Sequence, residues 1–587
     1  MRSTSRNCTC AGLFAFLAVA GTFTATAVAT DPLHDVIIRN GLVYDGSGRL
    51  PYRGELSMDG DRITAVGKHV GGRARTEVDA QGKAIAPGFI NMLSHSEESL
   101  LLDGRALSDL TQGVTLEVMG EDSMGPLTPQ MKTLMRERES DTHFDFDWTT
   151  LGEFFERLQK RGISPNVAAF VGAGTIRSNV IGESDVQATP QQLAAMKELV
   201  HRSMEEGALG VTTALIYSPN VYATTGELEA LAGESARCGG MYAAHIRSEG
   251  DRLHEAIQET IDIAKASGAP AEIYHLKEAG KANWIQLDWV VKTIEQARAD
   301  GIRISADMYA YTAGQTGLDA AMPPWVREGG IEAWVKRLRK PDIRAKVIAE
   351  MRTPNTDWEN LYLHAGASGV RLIGFKNPAL RPLIGKTLSE VAAARRVSPE
   401  DAAVDLVIED GSEVRVAYFL MSEDNVRRQI ALPWVSFGSD SDAPAPEGVF
   451  LESSDHPRAY GNFARLLGKY VRDEKLITLQ EAIRKLTSLP ADNLSLQHRG
   501  RLATGYFADV VIFDPATIQD RSTYDNPHQL SSGVRDVWVN GIRALKDGVA
   551  TRAASGRFVR GRAWNGAPRG GCRESSKQWK WQGEAPL

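Results

Sequence analysis

The sequence predicts an α/β fold: a (β/α)8 TIM barrel with a small β-sandwich and an inserted lid subdomain. First, from Ala86 onward, short apolar runs typical of buried parallel strands alternate with amphipathic helical stretches. Second, residues 34–83 and 497–550, which flank this repeat, show the alternating pattern of β-strands. Third, the segment 313–430 between the seventh and eighth predicted strands is too long for a loop.

The repeat contains enough strands to close a barrel. Helical stretches with 3.6-residue apolar periodicity, such as LHEAIQETIDIAKASG, separate most of them. A doubly wound open sheet is the alternative, but no GxGxxG motif follows the first strand, which disfavours it. We expect barrel strands at 86–94, 113–120, 166–172, 210–217, 240–246, 271–276, 302–309 and 434–440.

The two flanking β segments each contain too few strands to bury a core alone, so we expect them to pair with each other. This pairing sets the domain plan of the mature chain. The predicted divisions are the N-terminal sandwich segment (30–85), barrel strands one to seven (86–312), the lid (313–430), barrel strand eight with closing helices (431–492), the C-terminal sandwich segment (493–559) and a C-terminal arm (560–587).

The N-terminus resembles a secretory signal peptide. Arg2 and Arg6 precede the apolar run 11–20, and a small-residue cleavage site follows at 27–29. The apolar run is too short to span a bilayer stably, although a retained anchor is the alternative. We therefore exclude residues 1–29 from the fold and expect an exported protein, periplasmic or secreted, without a stable membrane span after signal removal.

Composition constrains the partners. The 587 residues are 42% hydrophobic and carry a net charge of −7. Because no basic stripe is present, nucleic acid is not an expected partner. Cys238 and Cys572 remain after signal removal; they could form a disulfide in an oxidising compartment, and a buried free thiol at Cys238 is the alternative. The oligomeric state stays undetermined.

Several polar side chains occur at the C-terminal ends of predicted barrel strands. In a barrel these ends meet around one axis, where TIM-barrel active sites are built. Imidazole nitrogens together with carboxylates are the ligands of hydrolytic zinc sites. The candidates are His95 after strand one, Glu121 and Asp122 after strand two, His245 at strand five, His275 at strand six and Asp440 at strand eight.

Beyond these residues, the chain resembles the amidohydrolase superfamily and, more closely, the N-acyl-D-amino-acid deacylase (D-aminoacylase) family. The resemblance covers nearly the whole mature chain, and the stretches that follow Asp440 are specific to the family. It implies zinc-dependent hydrolysis of the amide bond of an N-acyl-D-amino acid, a small-molecule substrate. The matching stretches include DVIIRNGLVYDGSG, HIRSEGDRLHEAI, GSDSDAP, HPRAYGNFARLLGKYV, GYFADVVIFDPATIQDRSTYDNPHQ and the YHLK motif.

The resemblance also implies roles for individual residues. His245 and His275 match the histidines that hold a tightly bound zinc ion, together with a bridging residue that corresponds to Glu121 or Asp122. Asp440 matches the catalytic general base. The substrate's α-carboxylate would be bound by Arg458 with help from Lys277 and Tyr309, and Tyr217 lies where the family contacts the scissile carbonyl. Arg458 could instead cap the helix that follows it.

One departure from the family pattern falls at the end of strand one. The family has His-x-His there, whereas this chain has Leu93 at the first position and keeps only His95; Asn91 replaces the usual Asp. Leucine cannot bind a metal, so we expect one tightly bound zinc ion rather than two. The alternatives are a deacylase or D-peptidase for another N-acyl amide, and a catalytically degenerate relative that only binds an acylated ligand.

Overall fold

The computed structural model describes residues 32–121, 123–138, 144–354, 357–564 and 572. The predicted signal peptide (1–29), Asp122 and most of the predicted C-terminal arm lie outside these residues. Within the described ranges, no helix is both long enough and apolar enough to cross a membrane.

The two ends of the chain build one β-domain, as predicted from their alternating patterns. Its strands are hydrogen-bonded into a single nine-stranded sheet, and side chains of both chain segments, such as Leu56 and Trp538, share one apolar core. The N-terminal strands are β1 (Leu33–Val43), β2 (Tyr52–Asp59), β3 (Arg62–Gly67), β4 (Arg73–Asp79) and β5 (Ala84–Pro87). The C-terminal strands, numbered in chain order, are β18 (Val510–Phe513), β19 (Val534–Val539), β20 (Ile542–Lys546) and β21 (Val549–Ala550). The junction between the two segments is the antiparallel pair β5–β18.

Parallel strands of the central region form the barrel. They are β6 (Phe89–Asn91), β7 (Val114–Met119), β8 (Asn166–Ala169) with its continuation β9 (Val171–Gly172), β10 (Gly210–Ala214), β11 (Met241–His245), β12 (Ala271–Ile273), β13 (Ile304–Met308) and β17 (Val435–Phe437). Strands β6–β7–β8 form one hydrogen-bonded group and β9–β10–β11–β12–β13–β17 the other. The first and last strands meet where Met92 N donates to Phe437 O at 3.0 Å, which closes the barrel.

The strand bounds differ from the predicted ones for physical reasons. Ala86 and Pro87 belong to β5 of the β-domain rather than to the first barrel strand, because they pair with β18. Strand β12 ends at Ile273, two residues before His275. His275 has a φ of 37°, a left-handed conformation that cannot continue a strand.

Helices cover the barrel and close its ends. Their boundaries follow ordinary capping chemistry: the longest begins at Pro190 behind a Thr189–Gln192 capping box and ends at Gly207 in the left-handed conformation. The helices are α1 (Glu97–Leu102), α2 (Leu107–Leu110), α3 (Pro129–Arg138), α4 (Leu151–Arg161), α5 (Ala173–Val180), α6 (Pro190–Glu206), α7 (Thr225–Arg237), α8 (Leu253–Ser267), α9 (Leu287–Ala299), α15 (Glu423–Ala431), α16 (Arg458–Arg465), α17 (Leu479–Leu486) and α18 (Ser488–Asn493).

The insertion before the last barrel strand forms a lid subdomain with its own core, which includes Leu318, Trp334 and Tyr418. A three-stranded antiparallel sheet forms its base. The prediction placed α15 in this lid, but Val426 and Ile430 of that helix pack in the barrel core instead. The lid elements are β14 (Ala313–Gly317), α10 (Gly330–Leu338), α11 (Pro341–Arg352), α12 (Leu361–Ala365), β15 (Val370–Gly374), α13 (Leu388–Arg395), α14 (Pro399–Asp410) and β16 (Arg415–Phe419).

The two cysteines of the predicted mature chain are bonded to each other. Cys238, which follows α7, forms a disulfide with Cys572, and this resolves the alternative left open by the sequence. The described residues shortly before Cys572 also pack on the barrel: Val559 N donates to Val167 O at 2.7 Å, and Phe558 stacks on Phe155 at 3.8 Å between ring centroids.

Candidate functional site

A cavity of about 370 Å³ lies at the C-terminal ends of the barrel strands, under the lid. Barrel loops form one side, and lid residues such as Thr316 and Tyr418 form the other. Asp122 lies outside the described residues. The other sequence-predicted site residues line this cavity together: His95, Glu121, Tyr217, His245, His275, Lys277, Tyr309, Asp440 and Arg458.

Three of these residues form a cluster of metal-ligand type. The ligand atoms of Glu121, His245 and His275 lie within 4.8 Å of one another, and all three residues are buried. Glu121 Oε1 is 3.1 Å from His245 Nδ1, and the two imidazole rings are 4.5 Å apart. Of the two acidic residues predicted after the second strand, Glu121 therefore occupies the cluster.

The donor set fits a zinc ion. Two imidazoles and a carboxylate are the ligand types that zinc takes in hydrolytic sites. His245 Nε2 is buried and has no hydrogen-bond partner among the described residues, which is costly for a ring nitrogen unless something binds there. Glu121, His245 and His275 therefore have the donor types and the spacing that a zinc ion requires.

His275 is held in place by contacts to its backbone N–H and to its ring Nδ1. Its backbone N–H donates to Asp307 Oδ1 at 3.0 Å. Its Nδ1 lies 2.8 Å from Lys277 Nζ and 2.9 Å from Glu249 Oε1. Burial opposes ionisation of Glu249, but the charge of Lys277 together with the interactions of His245 and His275 outweighs burial, so the pKa of Glu249 lies below its usual range. Glu249 is thus an ionised carboxylate that contacts and orients the ring of His275.

Asp440 lies beside the cluster in a left-handed turn with a φ of 51°. Its Oδ2 accepts a hydrogen bond from Arg458 Nη1 at 2.7 Å, and its Oδ1 is 3.1 Å from His95 Nε2. Burial alone would raise the pKa of Asp440, but the positive charge of Arg458 together with the interactions of His275 and His95 outweighs burial and holds that pKa well below its usual range. The carboxylate is therefore ionised.

Leu93 and Asn91 contribute to the site through hydrogen bonds to the backbone. The Leu93 side chain packs among apolar residues inside the barrel, and its carbonyl accepts a hydrogen bond from Asp440 N at 2.9 Å. Asn91 Oδ1 accepts from Ser439 N at 2.7 Å. These two bonds tie the ends of the first and last barrel strands together at the turn that presents Asp440.

His95 lies near one oxygen of each of two carboxylates, those of Glu121 and Asp440. Its Nε2 is 3.3 Å from Glu121 Oε2 as well as 3.1 Å from Asp440 Oδ1, so His95, Glu121 and Asp440 form a second group of ligand-type atoms. This group shares Glu121 with the first cluster. It offers one imidazole, because Leu93 occupies the other position of the expected pair.

The residues predicted to bind a carboxylate lie next to Asp440. The Arg458 guanidinium lies 4.6 Å from the Tyr309 ring centroid, and Lys277 Nζ lies 5.6 Å from the same centroid. Arg458 Nε is buried and is without a hydrogen-bond partner in the described ranges of the chain. Tyr217 meets the lid instead, where its hydroxyl donates to Thr316 Oγ1 at 2.8 Å. A cation with an unused donor is thus present in the cavity wall.

One buried amide that the sequence did not single out joins the elements that carry these groups. Asn462 lies one turn after Arg458 in α16 and is fully buried. Its Nδ2 donates to Gly438 O at 2.8 Å, two residues before Asp440. Its Oδ1 accepts from Ala310 N at 2.8 Å, one residue after Tyr309. Asn462 therefore fixes the spacing of Arg458, Asp440 and Tyr309.

Sequence reasoning missed Glu249 and Asn462 for the same reason. Each acts through a partner far away along the chain, and neither stands at a strand end. Glu249 lies in HIRSEGD, four residues after His245, so its place in the loop that follows a metal-ligand strand was the available signal. Asn462 stands in GNFARLL, where no local pattern marks it.

Comparison with known proteins agrees with this geometry. Residues 76–543 match the amidohydrolase family. The chain is 32% identical to the D-aminoacylase of Alcaligenes xylosoxydans xylosoxydans over 531 residues, which covers 89% of this chain and 97% of the relative. It is 30% identical to the N-acyl-D-glutamate deacylase of the same organism over 511 residues, covering 86% and 93%.

Solved structures give the same result. A D-aminoacylase described as having a binuclear metal centre matches with a TM-score of 0.74 at 30% identity, over 90% of this chain and 100% of that one. The N-acyl-D-glutamate deacylase of Bordetella bronchiseptica, complexed with zinc and a phosphonate inhibitor, matches with a TM-score of 0.73 at 28% identity and the same coverage. This chain belongs to the amidohydrolase family, within the group that contains the D-aminoacylases and N-acyl-D-amino-acid deacylases.

Proposed function

We propose that this protein is a metal-dependent amidohydrolase that hydrolyses the amide bond of N-acyl-D-amino acids to a carboxylate and a free D-amino acid. One observation carries the proposal: a zinc-type cluster of Glu121, His245 and His275 shares a cavity with the ionised Asp440 and with Arg458. The zinc-type cluster is suited to activating an amide, and Arg458 is suited to binding an α-carboxylate. The names of the relatives supply the D configuration.

We assign the chemistry to this chain's residues as follows. Zinc at such a site supplies Lewis acidity that polarises a carbonyl and makes water more acidic. Asp440, ionised and beside the cluster, accepts the proton of the attacking water and returns it to the leaving amine. Arg458, with Lys277 and Tyr309, holds the substrate's α-carboxylate, because a guanidinium can donate two parallel hydrogen bonds to it. We assign Tyr217 to the side of the scissile carbonyl, because its ring centroid is 5.4 Å from that of His245.

We propose a single tightly bound zinc ion, at His245, His275 and Glu121. A second ion would have to bind at His95, Glu121 and Asp440, where Leu93 leaves one imidazole. There the Asp440 carboxylate is also paired with Arg458 at 2.7 Å, which competes with a cation for the same carboxylate. The D-aminoacylase whose structure matches this chain is described as showing one-metal activation and second-metal attenuation, so one ion is compatible with catalysis in the family.

We also propose that the protein acts outside the cytoplasm. The pattern of residues 1–29 is that of a cleaved signal peptide. The disulfide between Cys238 and Cys572 supports the same location, since disulfides persist mainly in oxidising compartments. Fractionation of expressing cells checks this: the mature protein, shortened at its N-terminus, should appear in the periplasm or medium, and retention in the cytoplasm at full length would contradict it.

The activity is tested by incubating zinc-loaded protein with N-acetyl derivatives of D- and L-amino acids and measuring the released amine. We expect release from D-forms and little from L-forms. The matched control is Asp440→Asn, which should bind zinc normally and release almost nothing. A zinc-loaded protein that leaves all these amides intact would support a ligand-binding relative without catalytic activity instead.

A further inference from the structure

A second cavity lies beside the active-site cavity, and we call it the side cavity. Its volume is about 560 Å³. It is formed by the loops after β10 and β11 together with lid residues near Glu359 and His364. Ile216, Asp319 and Arg327 line both cavities, so the two meet at these side chains.

The position of the side cavity indicates which half of the substrate faces it. Lys277 follows β12, Tyr309 follows β13, and Asp440 and Arg458 follow β17, so the proposed carboxylate site occupies one side of the barrel mouth. The loops after β10 and β11, which line the side cavity, follow next in the strand order, and His245 of the cluster stands at the end of β11. A substrate with its carboxylate on Arg458 and its carbonyl at the cluster therefore directs its acyl group toward the side cavity.

The side cavity is acidic. Six carboxylates and three arginines line it. Two of those arginines are already neutralised within the wall, because Arg247 pairs with Glu259 at 2.9 Å and Arg327 pairs with Asp319 at 2.5 Å. The rest of the charged lining consists of four carboxylates and one arginine: Asp251, Glu255, Asp357, Glu359 and Arg252. An acidic, partly enclosed cavity attracts cations and repels anions.

Glu359 gives this surface a specific binding group. Its side chain is 3% exposed, and Ser248 Oγ donates to its Oε2 at 2.6 Å. Its Oε1 is buried and is without a hydrogen-bond partner among the residues that the structure describes. His364 Nε2 is 3.7 Å away, too far for a hydrogen bond. Burial raises the pKa of Glu359 to about 7. Burial also lowers the pKa of His364, so this imidazole does not supply Glu359 with a positive charge.

We propose that the side cavity binds a protonated amine of the substrate's acyl group, with Glu359 as its main hydrogen-bond acceptor. This rests on the deacylase function proposed above and specifies its substrate class. The preferred acyl group is an aminoacyl chain whose ammonium lies away from the scissile carbonyl, as in an ω-aminoacyl or lysyl group, and uncharged acetyl or fatty acyl groups are poorer substrates. An ammonium there would complete the bonding of Glu359 and offset the cost of burying its carboxylate.

The test uses a matched pair of substrates, N-hexanoyl-D-leucine and N-(ω-aminohexanoyl)-D-leucine, which differ in the terminal ammonium. With the zinc-loaded protein we expect kcat/KM for the amine-bearing substrate to be higher by about tenfold or more, the factor that one charge-assisted hydrogen bond supplies. In Glu359→Gln this ratio should fall toward one, because kcat/KM falls more for the amine-bearing substrate than for the hexanoyl substrate.

The control variant is Glu400→Gln. Glu400 is a buried lid carboxylate that already pairs with Arg352 and Tyr362, each at 2.9 Å, and it does not line the side cavity. It should leave the substrate ratio unchanged. A wild-type ratio near or below one, or a ratio that Glu359→Gln does not alter, would overturn the proposal.

A binding measurement separates this proposal from the deacylase function. Calorimetry on zinc-loaded Asp440→Asn, which should not turn over, reports affinity for the same two compounds. Tighter binding of the amine-bearing compound, lost in the Asp440→Asn, Glu359→Gln double variant, supports the side-cavity assignment even if catalysis is absent. Equal binding of the two compounds, or no binding of either, contradicts it. Hydrolysis of N-acetyl-D-amino acids without amine preference would leave the deacylase function standing alone.

Discussion

Arg458→Lys tests the substrate class most directly, because it keeps the positive charge and removes the planar fork. The Arg458 side chain is 3% exposed and donates through Nη1 to Asp440 at 2.7 Å. Its Nε is a buried donor without a hydrogen-bond partner within the described ranges, and we propose that it donates to a substrate carboxylate. A lysine ammonium at this position can face Asp440 or the substrate but cannot present two parallel donors.

The expected loss follows from this burial. Removing one partner of a buried, hydrogen-bonded charge pair costs about 2–4 kcal/mol, which corresponds to a fall of about 30- to 1,000-fold in kcat/KM for N-acyl-D-amino acids. Because Arg458 also contacts Asp440, a share of the loss will fall on proton transfer. That share affects every substrate equally, whereas the lost carboxylate contact affects only substrates with a free α-carboxylate.

The assay therefore compares free acids with their amidated analogues. Arg458→Lys should lose most of the preference for the free acid. The matched control is Arg465→Lys on the same helix: Arg465 pairs with Asp520 at 3.0 Å and lies 4.6 Å from the Tyr311 ring centroid, but it does not line the active-site cavity. If Arg458→Lys lowers the melting temperature as Arg465→Lys does and leaves the preference for free acids intact, Arg458 is structural and the carboxylate assignment is wrong.

Three further predictions address the base, the metal and the positioning amide. Asp440→Asn should lower kcat by about 10²–10⁴-fold with folding and zinc content retained, and activity within about tenfold of wild type would exclude it as general base. Metal analysis after dialysis should find about one zinc per chain and almost none in His245→Ala; two ions at full occupancy, one on His95, would show that the effect assigned to Leu93 is wrong. Asn462→Asp keeps the shape of the side chain but replaces the donor to Gly438 O with an acceptor, so kcat/KM and the free-acid preference should both fall. The control is Asn540→Asp, at an equally buried amide in the β-domain, which should lower stability alone. If Asn462→Asp leaves the free-acid preference unchanged, Asn462 has no positioning role.

The fold was predictable from the sequence because the hydrophobic periodicity and the length of each segment decide it. Buried parallel strands are apolar throughout, and the helices between them show a 3.6-residue period, so the order of elements follows from the pattern. The pairing of the two chain ends followed from the need of each to bury a face. The predicted boundaries of the segments were less accurate. Ala86 and Pro87 belong to the β-domain and α15 packs on the barrel, because tertiary contacts decide which neighbour a short apolar segment packs against.

The candidate site was also predictable only in part. Barrel geometry brings the ends of all strands together, so His245, His275 and Asp440 could be grouped from their strand positions alone. Local backbone direction could not be inferred. Gly120 has a φ of 112°, and the chain after it turns so that Glu121 meets His245; a sequence pattern of two adjacent acids does not reveal this. Glu249 and Asn462 act across 28 and 152 residues, distances at which no local pattern operates.

At Leu93, metal binding by a side chain and support of the Asp440 turn by the backbone are two separate roles. Its side chain cannot bind a metal, and it packs in the barrel interior. Its backbone carbonyl still holds Asp440 N at 2.9 Å, and Asn91 still holds Ser439 N at 2.7 Å. The turn that presents the proposed base is therefore built from backbone groups and one amide, none of which depends on an imidazole at position 93. The second group of ligand-type atoms therefore has no imidazole at position 93, while Asp440 keeps its place, and this is our reason for proposing a hydrolase with one metal ion.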